Sequence, residues 1–310
     1  MHKRKERDKL SYAYFENDQK GKRVMLQLFT DTSANLPVVL TKKYHITVIP
    51  FSYTVDGKET DYPDDTDFDG AAFYGAMRSG AIVKTSMVSP ALMEEYFERA
   101  LSAGDDVLYV GMSGGISGTA QAAAIAAGEL TERYPERRIV TIDTYAASLG
   151  EGLQVLEAAE MIEEGKSLEE IKEQLLVRRP HMCQFFTVDD LAYLKRGGRI
   201  SGATALIGTV LSIKPILRGD ETGHIVSCGK VRGLKRAYAE LANYFDTRAL
   251  DKSESIGIAH ADNAEGAEAL LALLRDKGFT GECLNVIYEP VTGAHVGPGT
   301  VALFFYGTEK

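Results

Sequence analysis

Residues 24–33 read VMLQLFTDTS, six largely apolar residues followed by four polar ones. A short apolar run that ends in Thr, Asp and Ser is typical of a buried strand that runs into a polar loop. Residues 1–22, which precede it, are polar and irregular. We therefore predict that the fold begins with this strand and that residues 1–22 form a polar N-terminal tail.

Beyond this strand, strand-like runs alternate with helical patterns through the first half of the chain. The predicted strands are Ile46–Ser52, Val107–Val110 and Ile139–Ile142. The helical patterns include Ala91–Ala103 and Thr119–Leu130. This alternation predicts an α/β domain with a parallel, Rossmann-like sheet.

The second half has more widely spaced strands. After helical patterns at residues 151–164 and 167–177, the predicted strands are Cys183–Val188, Ile225–Lys230, Ser255–His260, Leu284–Tyr288 and Thr300–Tyr306. Helices at Leu234–Phe245 and Ala264–Asp276 between them predict an α+β domain with a mixed sheet. Because 310 residues exceed what one core usually holds, we predict two domains, residues 23–178 and 179–310, separated by a cleft.

Composition excludes several classes of function. The formal net charge is −9, and the first 23 residues carry eight Lys or Arg against four Asp or Glu. The remainder, with 27 basic and 40 acidic residues, is more acidic still, so we expect no nucleic-acid partner. Cys183, Cys228 and Cys283 lack CxxC spacing, which argues against a disulfide scaffold, a zinc site or a redox pair and favours the reduced cytoplasm. The most apolar stretch, residues 202–217, is short and contains Lys214 and Pro215, so we expect no membrane span.

A serine hydrolase is the sharpest enzyme hypothesis. Residues 111–115 read GMSGG and satisfy G-x-S-x-G around Ser113, with Asp143 and His295 following in hydrolase order. Against it, the next helix begins only after Ile116-Ser117-Gly118-Thr119, and no HGGG-like oxyanion loop precedes the motif. The alternative is a glycine-rich loop whose Ser and Thr cap the helix and whose free amides favour an anion.

Two further clusters carry candidate polar groups. Lys84-Thr85-Ser86 is predicted to lie in the loop before a helix that begins near Pro90. Because successive loops of a parallel sheet emerge on one edge, this cluster and residues 113–119 are in a position to offer hydroxyls to one carboxylate. His295 is predicted to lie in the loop GAHVGPG, residues 293–299, where a surface histidine is the alternative.

The remaining charged clusters have ordinary interpretations. Residues 65–70 open like an EF-hand loop, but Ala76 stands where calcium needs a bidentate Glu, so helix N-terminal acids explain the segment better and we predict no metal site. Basic residues gather in the second half and form either a solvated face or a docking patch for a phosphate-bearing partner. They are Lys195, Arg196, Arg199, Lys230, Arg232, Lys235 and Arg236.

Together these motifs resemble the DegV family, including the fatty-acid-binding subunits of bacterial fatty acid kinase. The resemblance covers nearly everything from Met25 to Tyr306. It rests on ordered motifs, namely residues 30–37 (TDTSANLP), 48–50 (VIP), 84–86 (KTS), 116–119 (ISGT), 193–200 (YLKRGGRI) and 295–299 (HVGPG). The chain departs from the usual pattern at Thr32-Ser33, commonly Ser-Thr, and at Met87-Val88, commonly Gln-Pro.

The resemblance implies a DegV-like fold of two domains that hold one long-chain fatty acid in the cleft between them. Thr85 and Ser117 would bind the carboxylate, and His295 would join their hydrogen-bond network. The supporting loop residues would be Ser86, Ser113, Gly118 and Thr119. Burial of about fifteen methylenes at roughly 0.8 kcal/mol each would supply ample driving force.

A partner is implied as well. In the resembling system, a separate ATP-binding kinase subunit phosphorylates the bound carboxylate, and Arg232, supported by Arg199, would serve docking or transfer. The chain would then be a carrier rather than an enzyme, with no cofactor besides its fatty acid ligand and no metal. Two alternatives stay open, a serine esterase that uses Ser113 and a protein that keeps the fold but binds another lipid or has a structural role.

Overall fold

The structure is a computed structural model. It describes four segments of the chain, residues 15–17, 23–62, 64–200 and 212–310. Most of the predicted tail, and residues 202–211 of the apolar stretch, lie outside the described residues. Within the described segments, none of the helices combines the length and the apolar character that crossing a membrane requires.

Strands and helices alternate along most of the described chain. The strands are β1 (Phe15–Asn17), β2 (Arg23–Asp31), β3 (Thr47–Ile49), β4 (Phe51–Val55), β5 (Lys58–Tyr62), β6 (Val83–Ser86), β7 (Asp106–Gly111), β8 (Ile139–Asp143), β9 (Met182–Thr187), β10 (Ile213–Gly219), β11 (Ile225–Arg232), β12 (Ile256–His260), β13 (Cys283–Ile287) and β14 (Val301–Tyr306). The helices are α1 (Val38–Lys43), α2 (Gly70–Arg78), α3 (Pro90–Ala103), α4 (Thr119–Arg133), α5 (Leu149–Glu163), α6 (Leu168–Arg178), α7 (Ala192–Gly197), α8 (Leu234–Arg248), α9 (Ala264–Asp276) and α10 (Pro290–Val296).

The first half is built on a parallel sheet. Strand β2 pairs in parallel with β3 and β7, and β7 pairs in parallel with β8, while β1 adds an antiparallel edge. Residues Val107–Val110 of β7 are buried because helices cover both faces of such a sheet. The predicted parallel sheet is confirmed.

A separate three-stranded antiparallel sheet, ordered β5-β4-β6, is the main feature that the sequence did not predict. The predicted strand Ile46–Ser52 is in fact two strands, β3 and β4, that meet at Pro50 and belong to different sheets. Proline has no N–H to donate to a sheet, so the change of sheet occurs where pairing is already interrupted. The expectation that Lys84-Thr85-Ser86 forms a loop is wrong, because these residues belong to β6 and pair with β4.

The second half is a six-stranded mixed sheet with the order β11-β10-β9-β14-β12-β13, in which only β12 and β13 run parallel among the pairs described. Helices α8 and α9 cover one face through buried residues such as Leu241, Phe245 and Leu270. The predicted α/β fold with two domains, parallel first and mixed second, is confirmed. Helix α9 has the predicted bounds.

Helix α5 joins the two halves. It contacts β2 and β7 of the parallel sheet and β9, β12 and β14 of the mixed sheet. Its buried Leu149 and Leu153 belong to one core cluster with Leu28 of β2 and Phe304 of β14. Burial of each such side chain contributes about 1.5–3 kcal/mol, so this helix holds the two sheets at a fixed separation.

The acidic segment that resembles a calcium loop caps a helix. Asp69 accepts a hydrogen bond of 2.9 Å from the backbone N–H of Ala72 and stands at the N-cap of α2. A carboxylate at this position satisfies an otherwise unpaired N–H and is favoured by the helix dipole. The segment therefore has the helix-capping role that the sequence predicted.

Candidate functional site

A cavity of about 400 Å³ lies between the two halves, and both contribute to its walls. Strand β6 and the loop before α4 line it from the first half, and β9, β14 and α10 line it from the second. Most of the wall is apolar. The large apolar side chains include Phe51, Met112, Phe186, Ile225, Val296 and Phe304. The cavity can therefore enclose an apolar ligand with a few polar contacts.

Thr85 and His295 meet at this cavity, although 210 residues separate them. Thr85 Oγ1 lies 2.9 Å from His295 Nε2, and both residues line the cavity wall. The expectation that His295 occupies a loop is wrong, because it lies in the last turn of α10. That helix begins with Pro290 at its first turn, and the Glu289 side chain accepts hydrogen bonds from the N–H groups that follow.

The surroundings of His295 determine its charge state. Burial, with the positive charge of Arg199, lowers the pKa of His295 to about 4. The imidazole is therefore neutral near pH 7 and carries one proton. We infer that Nε2 holds that proton and donates it to Thr85 Oγ1, so that the Thr85 hydroxyl is left to donate into the cavity.

Ser117 is oriented by a similar arrangement. Its Oγ lies 2.9 Å from Thr119 Oγ1 and accepts a hydrogen bond of 3.3 Å from the Thr119 N–H. Thr119 is fully buried at the start of α4. We infer that Thr119 Oγ1 is the donor of this pair, which leaves the Ser117 hydroxyl to donate to a ligand. Gly118 lines the cavity between them, where an added methyl group would meet Met87 Sδ at 2.7 Å.

Ser113 is engaged in holding two loops together. It is fully buried, and its Oγ donates to the Gly223 carbonyl at 3.0 Å and accepts from the Gly115 N–H at 3.1 Å. Gly223 has φ +79°, and a side chain there would collide with Ser113 Oγ. Ser113 thus fastens the turn between β10 and β11 to the loop after β7.

The other residues of the hydrolase order have different partners. Asp143 accepts hydrogen bonds from the N–H groups of Gly114 and Tyr145, at 3.0 and 2.9 Å. His295 is bonded to Thr85. In the part of the chain that the structure describes, the three residues of the predicted esterase are therefore not hydrogen-bonded to one another as a triad requires.

The two arginines predicted to serve a partner lie in different places. Arg199 is half-buried, lines the cavity and donates from Nε to the Ile116 carbonyl at 3.2 Å. Arg232 is exposed at the end of β11 and does not line the cavity. Ser86 is exposed at the end of β6, at the edge of the cavity.

Sequence reasoning missed several cavity residues. Thr292 lies one helical turn before His295, and Gln184 accepts from the Ala147 N–H at 3.1 Å and donates to the Tyr145 carbonyl at 2.9 Å. The spacing of Thr292 and His295 is the i, i+3 spacing of one helix face. The glycine-rich sequence of residues 293–299 predicts a loop, in which this spacing has no meaning.

The absence of a side chain at Gly197 allows the His295 imidazole to pack directly against the backbone of α7. A Cβ at position 197 would lie 2.3 Å from His295 Nδ1, so Gly197→Ala is expected to push the imidazole out of its buried position. Because burial is the main cause of the low pKa of His295, that pKa should then rise from about 4 towards the ordinary value of 6.5. An NMR titration of the histidine side chains measures this rise. Gly128→Ala, at a position with open space, is the control, and unchanged titration of His295 in Gly197→Ala would contradict the packing argument.

Comparison with known proteins gives a consistent result. The family model described as "Uncharacterised protein, DegV family COG1307" matches residues 25–308. The DegV domain-containing protein CPE0026 of Clostridium perfringens is 38% identical over 286 residues, which are 91% of this chain and 98% of that protein.

Solved structures agree with the fold. A DegV family protein from Thermus thermophilus, whose structure concerns fatty acid binding, superposes with a TM-score of 0.81 at 33% identity and covers 91% of this chain and 99% of its own. The fatty acid binding DegV family protein SAG1342 from Streptococcus agalactiae also has a TM-score of 0.81, at 30% identity, and covers 93% of this chain and 100% of its own.

Proposed function

Because the chain belongs to the DegV family, we propose that it binds one long-chain fatty acid in the cavity between its two halves and presents the carboxylate to a separate kinase subunit. The observation that carries this proposal is the cavity itself, an apolar enclosure with the Thr85 and Ser117 hydroxyls on its wall. The fatty acid binding of the Thermus thermophilus and Streptococcus agalactiae proteins supports it. The chain is then a cytoplasmic carrier, with residues 23–178 and 179–310 as its two domains.

The head group is held by oriented hydroxyls. With His295 Nε2 and Thr119 Oγ1 inferred to be the donors to Thr85 and Ser117, both of the accepting hydroxyls keep a proton for a carboxylate, which only accepts. A hydrogen bond to a charged group contributes about 1.5–3 kcal/mol. The Arg199 guanidinium, which also lines the cavity, adds positive charge.

The acyl chain supplies most of the affinity. Each methylene that moves from water to the apolar wall contributes roughly 0.8 kcal/mol. Aromatic residues such as Phe51, Phe186 and Phe304 line the cavity beside aliphatic ones. The polar end of the ligand therefore fixes its direction, while its apolar length provides the driving force.

Native mass spectrometry tests this function. Freshly purified protein is expected to carry one fatty acid per chain, which denaturing extraction and lipid analysis then identify. Delipidated protein should take up added palmitate in the same stoichiometry. Folded protein that carries no acyl ligand and takes up none would contradict the proposal.

The partner half of the proposal rests on the exposed basic side chains around Arg232. In an assay with the ATP-binding subunit of a fatty acid kinase, Arg232→Ala is expected to reduce acyl phosphate formation roughly tenfold, because an exposed interfacial charge mainly affects association. Palmitate affinity should stay unchanged, since Arg232 does not line the cavity. Arg99→Ala, an exposed arginine on α3, is the matched control. Equal activity of the Arg232→Ala and Arg99→Ala variants would argue against this docking role.

The serine esterase is the weaker candidate on geometric grounds. A nucleophile needs a base within hydrogen-bond reach, and the Ser113 hydroxyl instead donates to the Gly223 carbonyl. We propose a structural role for Ser113, in which it keeps the turn between β10 and β11 against the cavity.

A further inference from the structure

The described part of the cavity wall reaches the protein surface at one place. Of the described residues that line the cavity, only Ser86, Met87 and Gly118 are exposed to water, while the others are buried or half-buried. Ser86 and Met87 follow Thr85 in the chain, and Gly118 follows Ser117 just before α4. This opening therefore lies beside the two hydroxyls at the polar end of the cavity.

Met87 is the one large side chain at this opening among the described residues. It is 48% exposed although it also lines the cavity, so it has one side towards water and the other towards the interior. Its thioether reaches Gly118, since a Cβ added there would lie 2.7 Å from Met87 Sδ and 3.2 Å from Met87 Cε. The Met87 side chain thus spans the opening from the end of β6 to the start of α4.

The backbone on each side of Met87 is held in place. Val88 is buried, and the Ser89 side chain caps α3 by accepting a hydrogen bond of 3.2 Å from the Leu92 N–H. On the other side, Thr85 pairs with Tyr53 of β4. Methionine is unbranched and has three rotatable bonds, so the Met87 side chain can leave the opening without a movement of the backbone.

We propose that Met87 is the gate of the cavity, which must rotate away before a fatty acid enters or leaves, and that the ligand enters with its methyl end first. This inference rests on the proposed function and adds to it a route and the residue that controls it. The direction follows from the position of Thr85 and Ser117, because a carboxylate bound there stays next to the opening while the acyl chain extends into the apolar interior. A carboxylate in that place is also the end of the ligand that a partner can reach.

Stopped-flow mixing tests the gate on delipidated protein. Association is measured with cis-parinarate, a fluorescent fatty acid, and dissociation is measured by displacing it with excess palmitate. Met87→Ala is expected to raise both rate constants about fivefold or more and to change their ratio less than about threefold, because a gate slows entry and exit alike. An ordinary wall contact would act mainly on dissociation. Ile82→Ala, at an exposed apolar residue that does not line the cavity, is the matched control and should leave both rate constants unchanged.

Gly118→Ala is a second, independent variant. Gly118 has φ −75°, which alanine adopts without strain, and apart from its chain neighbours, Met87 supplies all the described atoms that a Cβ at this position would approach within 4 Å. The added methyl group should therefore change the exchange rates through Met87 alone. In the wild-type background it is expected to shift association and dissociation together, and in the Met87→Ala background it should have no further effect.

The outcomes separate this inference from the proposed function. Wild-type protein that binds cis-parinarate, with both rate constants unchanged in Met87→Ala, would overturn the gate and leave the proposed function standing. A rise in dissociation alone, or an effect of Gly118→Ala that persists in the Met87→Ala background, would also overturn the gate. Wild-type protein that takes up neither cis-parinarate nor palmitate would overturn the proposed function and the gate together.

Discussion

Palmitate binding is expected to fall about a hundredfold or more when Thr85 and Ser117 are changed together to Val and Ala. Each hydroxyl is bonded to a neighbour, His295 for Thr85 and Thr119 for Ser117, and we infer that the neighbour is the donor, which leaves the Thr85 and Ser117 protons for the carboxylate. Loss of a hydrogen bond to a charged group costs about 1.5–3 kcal/mol, so each single change should weaken binding about tenfold or more. Titration of delipidated protein with palmitate measures all three variants.

Ser86→Ala is the matched control for this prediction. Ser86 follows Thr85 on β6 and lies at the cavity edge, but its side chain is exposed to water. Its loss should change the affinity less than about twofold, since water already satisfies such a hydroxyl. If Ser86→Ala weakened palmitate binding as much as the single Thr85 or Ser117 variants, the assignment of the carboxylate donors would be wrong.

The large elements could be predicted from sequence because their periodic patterns are long. The buried strand at residues 24–29 and the helix α9 are examples, and both are found. Strand β6 was missed because it has only four residues and its partner, β4, is paired through contacts such as Tyr53 with Thr85. A short strand of mixed polarity is defined by such long-range pairing and not by its own pattern.

Helix α10 was missed for a different reason. Gly293, Gly297, Pro298 and Gly299 are typical turn residues and favour a loop. The helix is nevertheless formed because the Glu289 side chain caps its first turn and residues such as Val291 are buried. Tertiary packing here outweighs local propensity, which is a weak determinant in a helix of seven residues.

The missed helix α10 also limited which site residues could be predicted. Thr85, Ser117 and His295 were named through family motifs, and the structure places all three on the cavity wall. Thr292 could not be named, because its relation to His295 exists only if residues 290–296 are helical. Arg199 was expected to serve a partner surface, but it lines the cavity, and the fold that brings α7 against α10 is what places it there.

The polar end of the first strand forms a buried carboxyl network. The Ser33 hydroxyl lies 2.7 Å from Asp31 Oδ1 and also contacts the Glu151 carboxyl group. One hydroxyl proton cannot serve both carboxyl groups, so one of them must be protonated and donate to Ser33. Burial raises the pKa of Asp31 as well, but Asp31 also accepts from the Tyr109 hydroxyl and from the Met112 N–H, and these bonds favour its charged form. We infer that Glu151 carries the proton.

Glu151→Ala and Glu151→Gln should therefore differ strongly in stability. The alanine variant removes the buried partner of Thr30 and one of the two carboxyl partners of Ser33, and it is expected to lower the free energy of unfolding by about 3 kcal/mol. Glutamine keeps one acceptor for Thr30 and gains an amide donor for Ser33. Glu151→Gln should therefore lower the free energy of unfolding near pH 6 by less than about 1 kcal/mol. Chemical denaturation of both variants and the wild type measures the difference.

The pH dependence tests the protonation directly. Burial, and then the charge of Asp31, raise the pKa of Glu151 well above its ordinary value of 4.5. Stability that depends on a neutral folded Glu151 is complete below the unfolded pKa and is lost as the pH rises towards the folded pKa. Glutamine does not titrate, so Glu151→Gln should gain stability relative to the wild type as the pH rises above the ordinary value of 4.5 towards the raised folded pKa of Glu151. If the difference in free energy of unfolding between Glu151→Gln and the wild type stayed constant with pH, or shifted in favour of the wild type, Glu151 would be buried as an anion.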